Sequence, residues 1–489
     1  MNTMQMHRYK ERSNMSTESY LAPDGELHAF MIELEQSGDF SGTLLVGKDD
    51  RVLFTGAYGF ADRAKELPMK ADTKLNIGSI NKSFTSVAVC QLIGKGLLNL
   101  GETVEAFLPE FCEISKGRIT IEMLLRHTSG LGDFHMASGY TKNQANVTTI
   151  AEYLPYCKDV VYAEPGERFS YSNAGYIILG AIIEKVSNMN YFDYVNEHVY
   201  MPAGMVNSGC YFKNAEIPNM AIGYIRPGLD GKLMPMQMGA PVDKTIEPVP
   251  NTSFLPPRGT SAGGGYSTVE DLFRFIRAVN NETLIKGGFK TLIPDGSPDY
   301  NYGISRMNPA AIEAVSHTGG APGINSIYEF YQNLGYTFVI QSNLGALLPV
   351  WGALRKNLIP NNLEKMPPKL EVNGKTIPDY IPIIKHGAAY VSVEVLCEEL
   401  DISCDITGDC AVISTGSGSR ISLNAESDVI YVDGEPVKLS SPCLLMGGTL
   451  MLPFGPGGIG GSLGVMSTNP SGMAYGIVKL AEPPKMLRH

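Results

Sequence analysis

Apolar and polar positions recur along the chain with two different periods, and the period sets the expected element. Leu27, Phe30, Met31 and Leu34 fall at helical steps and predict a short helix from Glu26 to Gly38. Two strand-like runs follow, 42–47 and 52–56, joined by the charged turn Lys48-Asp49-Asp50-Arg51, which predicts a β-hairpin. A loop over 61–76 leads to a second helical stretch. There Phe84, Val87, Ala88 and Leu92 recur at helical spacing, with neither Pro nor Gly between Ser79 and Gly94. The stretch 97–109 is a further amphipathic segment with turn chemistry at Asn99 and Gly101. Thr120 is placed to cap a short helix that ends at His127-Thr128-Ser129-Gly130-Leu131. Met123 stands where Glu or Gln would complete a capping box, so a simple cap is expected. His127, at that helix end, reads as closing the last carbonyls.

Further on, 176–186 reads as a helix, and 205–259 is rich in Pro and Gly and is expected to cover one side of a cleft. Ser267 or Thr268 caps the next helix, through Leu272, Phe275 and Ile276. The stretches 326–330 and 337–342 read as strands, and 348–358 as a closing helix. A hairpin at the start, strands at the end and helices between predict an α/β chain of the α+β type. Its core is one antiparallel sheet built from both ends of the domain and flanked by helices and a helical, loop-rich subdomain. Before it, 1–23 is polar and reads as a disordered leader.

The domain runs over 24–360, and the pattern breaks in a Pro- and Asn-rich linker at 361–369. The remainder, 370–489, is different in kind: short β-rich runs with Gly turns and one helix over 393–400. It also repeats. Val372-Asn373-Gly374-Lys375 is echoed sixty residues later by Val432-Asp433-Gly434-Glu435, and the run 382–387 by 442–447. In the second copy the counterpart of the helix, 455–464, is so glycine-rich that a helix is not expected there.

Composition narrows the class of protein. A chain of 489 residues with 44% hydrophobic and 18% charged residues is a globular chain of two or three domains. Its formal net charge of −11 argues against nucleic-acid binding, for which a basic face is needed. No run of eighteen apolar residues is present, so no membrane span is expected. The polar, Met-rich N-terminus does not read as a signal peptide, so the chain as written reads as cytoplasmic, with export by another route left open. Eight scattered cysteines without metal-ligand spacing read as idle thiols, and neither a metal nor another cofactor is expected.

The chemistry centres on Ser79 and Lys82. Residues three apart share a helix face, so the Ser79 hydroxyl and the Lys82 amine can meet at a helix start. A serine hydroxyl needs a base beside it, and a desolvated lysine can serve. The free N–H groups of the helix N-terminus favour a developing oxyanion. Alone, Ser-x-x-Lys is no more than a solvated helix start. Two further elements fill the remaining roles. Tyr171-Ser172-Asn173 offers a phenol that can relay a proton and an amide that can reach Lys82 or a substrate carbonyl. His317-Thr318-Gly319-Gly320, before a terminal strand, can bring the Gly320 N–H opposite the Ser79 N–H, with His317 facing the cleft.

In this order, Ser-x-x-Lys, Tyr-x-Asn about ninety residues on, then His-Thr-Gly, the chain resembles the penicillin-binding-protein-like serine hydrolases. The nearest branch is the one holding class C β-lactamases, DD-peptidases, D-aminopeptidases and esterases. The resemblance covers roughly 24–358 and includes Gly59-Phe60-Ala61-Asp62, the run 127–131, Pro165-Gly166 and Gly204-Met205. It implies Ser79 as the acyl-enzyme nucleophile, Lys82 as base or base partner and Tyr171 as general acid/base. Asn173 would position Lys82 and the substrate. The N–H groups of Ser79 and Gly320 would form an oxyanion hole lined by His317, Thr318 and Gly319. Class C β-lactamases usually carry Lys where this chain has His317, which points to the peptidase and esterase side. The C-terminal repeat resembles the stalk-like module related to the N-terminal domain of copper amine oxidases, on Asn373-Gly374, 382–393 and 396–400. Such modules imply no copper chemistry, and adhesion to a cell wall or self-association is the expected role.

The expected activity is therefore cleavage of an amide or ester in a small-molecule or peptide substrate. The substrate class is a D-amino-acid peptide, a peptidoglycan-like fragment or a small ester, with acyl transfer needing the same residues. The alternatives are a non-catalytic protein that binds peptide or cell-wall fragments, and a β-lactamase.

Overall fold

The computed structural model describes residues 16–359 other than 230, 234–241, 295–299, 308–313 and 345–346, together with strands and one helix between 370 and 480. The chain divides into two compact units, Met1–Arg306 with Val315–Pro360, and Met307–Ala314 with Asn361–His489. Of the segment read as a leader, 1–15 lies outside the described residues. The rest is not loose: Thr17–Tyr20 forms a helical turn capped by Ser16, and Tyr20 and Leu21 are buried. The Tyr20 hydroxyl accepts from the Asn357 amide at 3.1 Å. Two apolar side chains anchor what composition alone marks as polar.

In the first unit, helix α1 (Glu26–Gln36) precedes the hairpin of β1 (Gly42–Lys48) and β2 (Arg51–Tyr58), whose turn places Asp49 at positive φ. The last strands of the unit are β5 (Ser305–Met307), β6 (Ala314–Ala321), β7 (Ile324–Tyr331) and β8 (Tyr336–Ser342). They join the hairpin in one six-stranded sheet, order β2-β1-β8-β7-β6-β5. β1 pairs antiparallel with both β2 and β8, from Gly42 opposite Ser342 to Lys48 opposite Tyr336. The sheet expected from the two ends of the domain is therefore the one formed. β7 and β8 are buried along nearly their whole length, and several polar residues among them, Ser326, Glu329, Thr337 and Gln341, are buried with the rest.

Helices cover this sheet. Helix α6 (Val269–Asn280), capped by Thr268, packs on β1 and β8, and α7 (Leu348–Leu358) packs on β8. α7 is pinned by a buried charge cluster: Glu329 on β7, fully buried, accepts from the Trp351 indole at 2.9 Å and pairs with the Arg355 guanidinium. The second layer is built on α2 (Asn81–Gly94) and α5 (Asn173–Ser187), which pack together, with α3 (Ile121–Leu125) and α4 (Ile150–Lys158) against α5. α5 is buried from Ala174 to Ile183, because it is apolar on every face. It begins three residues earlier than periodicity suggests, since Ser172 is its N-cap and accepts from the Gly175 N–H at 2.9 Å. The amphipathic stretch near 100 makes only a 3-10 turn, Val104–Ala106. A two-stranded ribbon, β3 (Leu75–Gly78) with β4 (Gly265–Ser267), leads into α2.

The second unit is β-rich around helix α8 (Val393–Leu400). Each copy of the sequence repeat forms a pair of hairpins. Leu370–Val372 pairs with Lys375–Ile377, and Val429–Val432 with Glu435–Lys438 across Asp433 and Gly434, both at positive φ. Ile383–Lys385 with Ala388–Ser392 and Leu444–Met446 with Thr449–Phe454 then share one sheet, joined through their second strands. The turn Asn373-Gly374, the linker 361–369 and the glycine-rich 455–464 lie outside the described residues.

Candidate active site

Helix α2 is the first requirement. Asn81, Lys82, Ser83, Thr85 and Ser86 are all fully buried, an unusual run of polar side chains for a core helix. Each has a hydrogen-bond partner, although the Asn81 Oδ1 is left without one. Ser83 Oγ donates to the Gly303 carbonyl at 2.7 Å, and Thr85 Oγ1 to the Ser261 carbonyl at 2.7 Å. The Asn81 amide donates to the Thr260 carbonyl at 2.9 Å. The last two bonds tie the segment 260–262 to α2, and this brings the Ala262 carbonyl over Lys82.

Lys82 Nζ lies 3.2 Å from Ser79 Oγ, 2.6 Å from Asn173 Oδ1 and 2.5 Å from the Ala262 carbonyl. As an ammonium it donates to all three. As a neutral amine it donates its two N–H bonds to Asn173 and Ala262, which can only accept there, and turns its lone pair to the Ser79 O–H. The geometry serves both protonation states without rearrangement. Burial drives the Lys82 pKa down to about 7, with the Asp133 carboxylate acting the other way.

Tyr171 is hydrogen-bonded to Ser79, and Lys82 Nζ sits 4.8 Å from its ring centroid. Its hydroxyl pKa is raised, chiefly by desolvation, with the Ser79 hydrogen bond opposing. The phenol therefore keeps its proton. Asn173 opens α5, and its Nδ2 donates to Asp133 Oδ2 at 2.7 Å, which fixes its Oδ1 toward Lys82.

The backbone N–H groups beside Ser79 are set by β6. Gly78 has φ +50, and a Cβ there would stand 2.6 Å from the Gly320 N. A Cβ on Gly319 would stand 1.8 Å from the Ile77 carbonyl oxygen and 3.0 Å from the Ser79 N. The backbones of 77–79 and 319–320 thus lie in direct apposition, which only glycine permits, and the Ser79 and Gly320 N–H groups are brought together. A cavity of about 390 Å³ opens on this pair, lined by Ser79, Asn173, Gly320, Asp133 and, from the Pro-rich middle region, Phe254 and Tyr211.

His317 does not line this cavity. Its ring is buried, with Nδ1–H donating to the Thr318 carbonyl at 2.6 Å and Nε2 accepting from the Tyr300 hydroxyl at 3.1 Å. Burial, and then the Lys82 charge, hold its pKa down to about 3, so it is neutral. Thr318 is exposed but is also outside the lining, and of the four residues 317–320 only Gly320 reaches the cavity. His127, at positive φ, is fully buried, and its ring does not close a helix. Its Nδ1 accepts from the Ser172 N–H at 3.0 Å, and its ring lies 4.3 Å from that of Tyr171, so it props the Tyr-x-Asn turn. Two partners of the site escape a reading by residue type: Ala262, which acts through its carbonyl, and Asp133. The latter lies two residues after the run 127–131, and its nearness to that run was the available signal.

A family model described as Beta-lactamase matches residues 28–355. The chain belongs to the Beta-lactamase family. Its relatives include a penicillin-binding protein of Bacillus subtilis (strain 168), 28% identical over 326 residues, 63% of this chain and 69% of the relative. Protein flp of Staphylococcus aureus (strain MW2) is 31% identical over 194 residues, 39% of each chain. Among solved structures, the penicillin binding protein from Bacillus halodurans aligns with TM-score 0.59 and 27% identity, over 68% of this chain and 99% of that one. The D-amino acid amidase from Ochrobactrum anthropi SV3, at 22% identity and TM-score 0.53 over 65% of this chain and 91% of its own, shares the fold. Within this Beta-lactamase-family chain, 371–455 matches a second model, the Copper amine oxidase N-terminal domain. No helix among the described residues is long and apolar enough to cross a membrane.

Proposed function

We propose that the protein is a serine hydrolase that forms an acyl-enzyme on Ser79 and cleaves an amide or ester. The observation that carries this reading is the Lys82 environment: a buried amine near neutrality, with two acceptors for its N–H bonds and the Ser79 hydroxyl in its third direction. Lys82 takes the Ser79 proton as Oγ attacks the carbonyl carbon. The N–H groups of Ser79 and Gly320 receive the negative charge that develops on the carbonyl oxygen. Tyr171, which retains its proton, donates to the departing amine or alkoxide and is reprotonated by Lys82, which holds the proton taken from Ser79. Water then repeats the steps in reverse and frees the acid; an amine in its place gives acyl transfer.

The substrate classes expected from the resemblance, a D-amino-acid peptide, a peptidoglycan-like fragment or a small ester, all fit the cavity's chemistry. β-Lactam turnover is disfavoured by His317, which is neutral and turned away from the cavity. Hydrolysis of a p-nitrophenyl ester tests the reading. Wild type releases nitrophenol with a pre-steady-state burst, and the Ser79→Ala variant loses at least about a thousandfold in kcat. Retained turnover in that variant would refute the mechanism.

A further inference from the structure

The cysteines are scattered along the sequence, but the fold of the second unit brings two of them together. Helix α8 packs against the strand that follows it, Ser403–Thr407. On α8, Val393 and Cys397 lie four residues apart on one face and are both buried, while Glu394 and Glu398 are exposed. On the strand, Cys404 and Ile406 turn inward between the exposed Ser403, Asp405 and Thr407. Cys397 and Cys404 therefore meet where the two elements face each other. Both are free thiols, and they are hydrogen-bonded to one another.

The surroundings narrow what this pair can do. Among the described residues no third His, Cys, Asp or Glu completes a metal-holding group with it. Cys410, the next cysteine in the chain, stands opposite Thr407 in the neighbouring strand, three residues along from Cys404. At about 3.3 Å per residue that is roughly 10 Å away, beyond the reach of a disulfide. Burial pushes the Cys397 thiol up to about 12, and Cys404 beside it adds to the shift. Cys404 is raised by burial and then by the charges of Glu394 and Asp405, but the hydrogen bond from Cys397 opposes this. Cys404, only half-buried, is thus the thiol that ionises first and meets solvent.

We propose that Cys397 and Cys404 are the site of a disulfide that staples α8 to the strand Ser403–Thr407. The oxidant is a low-molecular-weight disulfide. The Cys404 thiolate attacks one of its sulfurs, which forms a mixed disulfide and releases one small thiol. Cys397 then gives up its proton and attacks the Cys404 sulfur, which closes the protein disulfide and releases the second small thiol. The two cysteines lose two electrons and two protons, and the small disulfide takes up both as two thiols. Nothing stabilises either thiolate in the reduced pair, so the bond resists reduction and is structural rather than a catalytic couple. The inference is independent of the acyl-serine reading above.

The test treats the folded full chain with oxidised glutathione, traps the remaining thiols with N-ethylmaleimide and digests the product at glutamate. Cleavage after Glu398 and Glu399 separates Cys397 from Cys404, so the disulfide shows as two peptides joined through these residues. Wild type should yield the joined pair. Cys397→Ser should stop at a glutathione adduct on Cys404, and Cys404→Ser, a change at the half-buried position, should leave Cys397 to the maleimide. On oxidation the melting transition of the second unit should rise by roughly 5–10 °C in wild type and in neither variant. Separate alkylated peptides from wild type, a stable glutathione adduct on its Cys404, or a bond from either cysteine to Cys410 would overturn the assignment. A joined pair without the rise in melting would overturn the structural role.

Discussion

At the scale of single residues, the account turns on one proton. The Lys82 pKa of about 7 makes the neutral amine the active base, so kcat/KM should rise with pH through about 7 and level above it. A profile that is flat from about pH 5.5 to 8.5 would contradict this assignment. The same shift has a consequence for stability. The folded chain releases the Lys82 proton near pH 7 and the unfolded chain near the ordinary lysine value of 10.5, so between these values the unfolded state holds more protons. Stability is then lost as pH falls from 10.5 to 7, and the full cost applies below 7. A Lys82→Met variant should be inactive yet melt higher than wild type, by more near pH 6 than near pH 10, as thermal denaturation at the two values will show. Ser79, Lys82 and Asn173 were legible because their chemistry is borne by side chains at fixed spacing. Ala262 and Asp133 were not. A carbonyl has no signature in residue type, and one aspartate after a turn looks like any other until the fold sets it against Asn173.

At the scale of elements, the sheet was readable because β1, β2, β7 and β8 are bounded by turns and rich in β-branched and aromatic residues. The start of α5 was misjudged for a local reason: Ser172 ends a polar, turn-like run, and its cap bond is invisible to periodicity. His317 shows a similar gap between motif and placement. Its position before two glycines suggested a cleft-facing ring, but Tyr300 captures it from the other side. The glycines themselves carry a sharper expectation. Gly319→Ala would drive a methyl into the Ile77 carbonyl and part β6 from β3, so kcat should fall by about a hundredfold and the Tm should fall as well. Ester kinetics together with a melting curve check both halves. Elsewhere, Arg355→Met leaves Glu329 buried without its cationic partner, and should cost about 3 kcal/mol in urea unfolding without altering KM.

At the scale of the whole molecule, the resemblance that three short motifs suggested extends over a family match from 28 to 355, and the repeat at the C-terminus over a match from 371 to 455. The repeat was legible as an echo of turn residues, and in the structure its two copies meet edge to edge in one sheet. The site is assembled wholly from the first unit, so a chain ending at residue 360 should keep kcat/KM on a p-nitrophenyl ester within about twofold of the full chain. A larger loss would assign the second unit a part in catalysis. The central claim is that Ser79 is an activated nucleophile, and the most direct measurement is the intact mass of the full chain after incubation with a fluorophosphonate, with peptide mapping of the adduct. The account predicts one phosphonyl group per chain, on Ser79, and none in the Lys82→Met variant under the same exposure. An unmodified chain, or a label on any other residue, would contradict it.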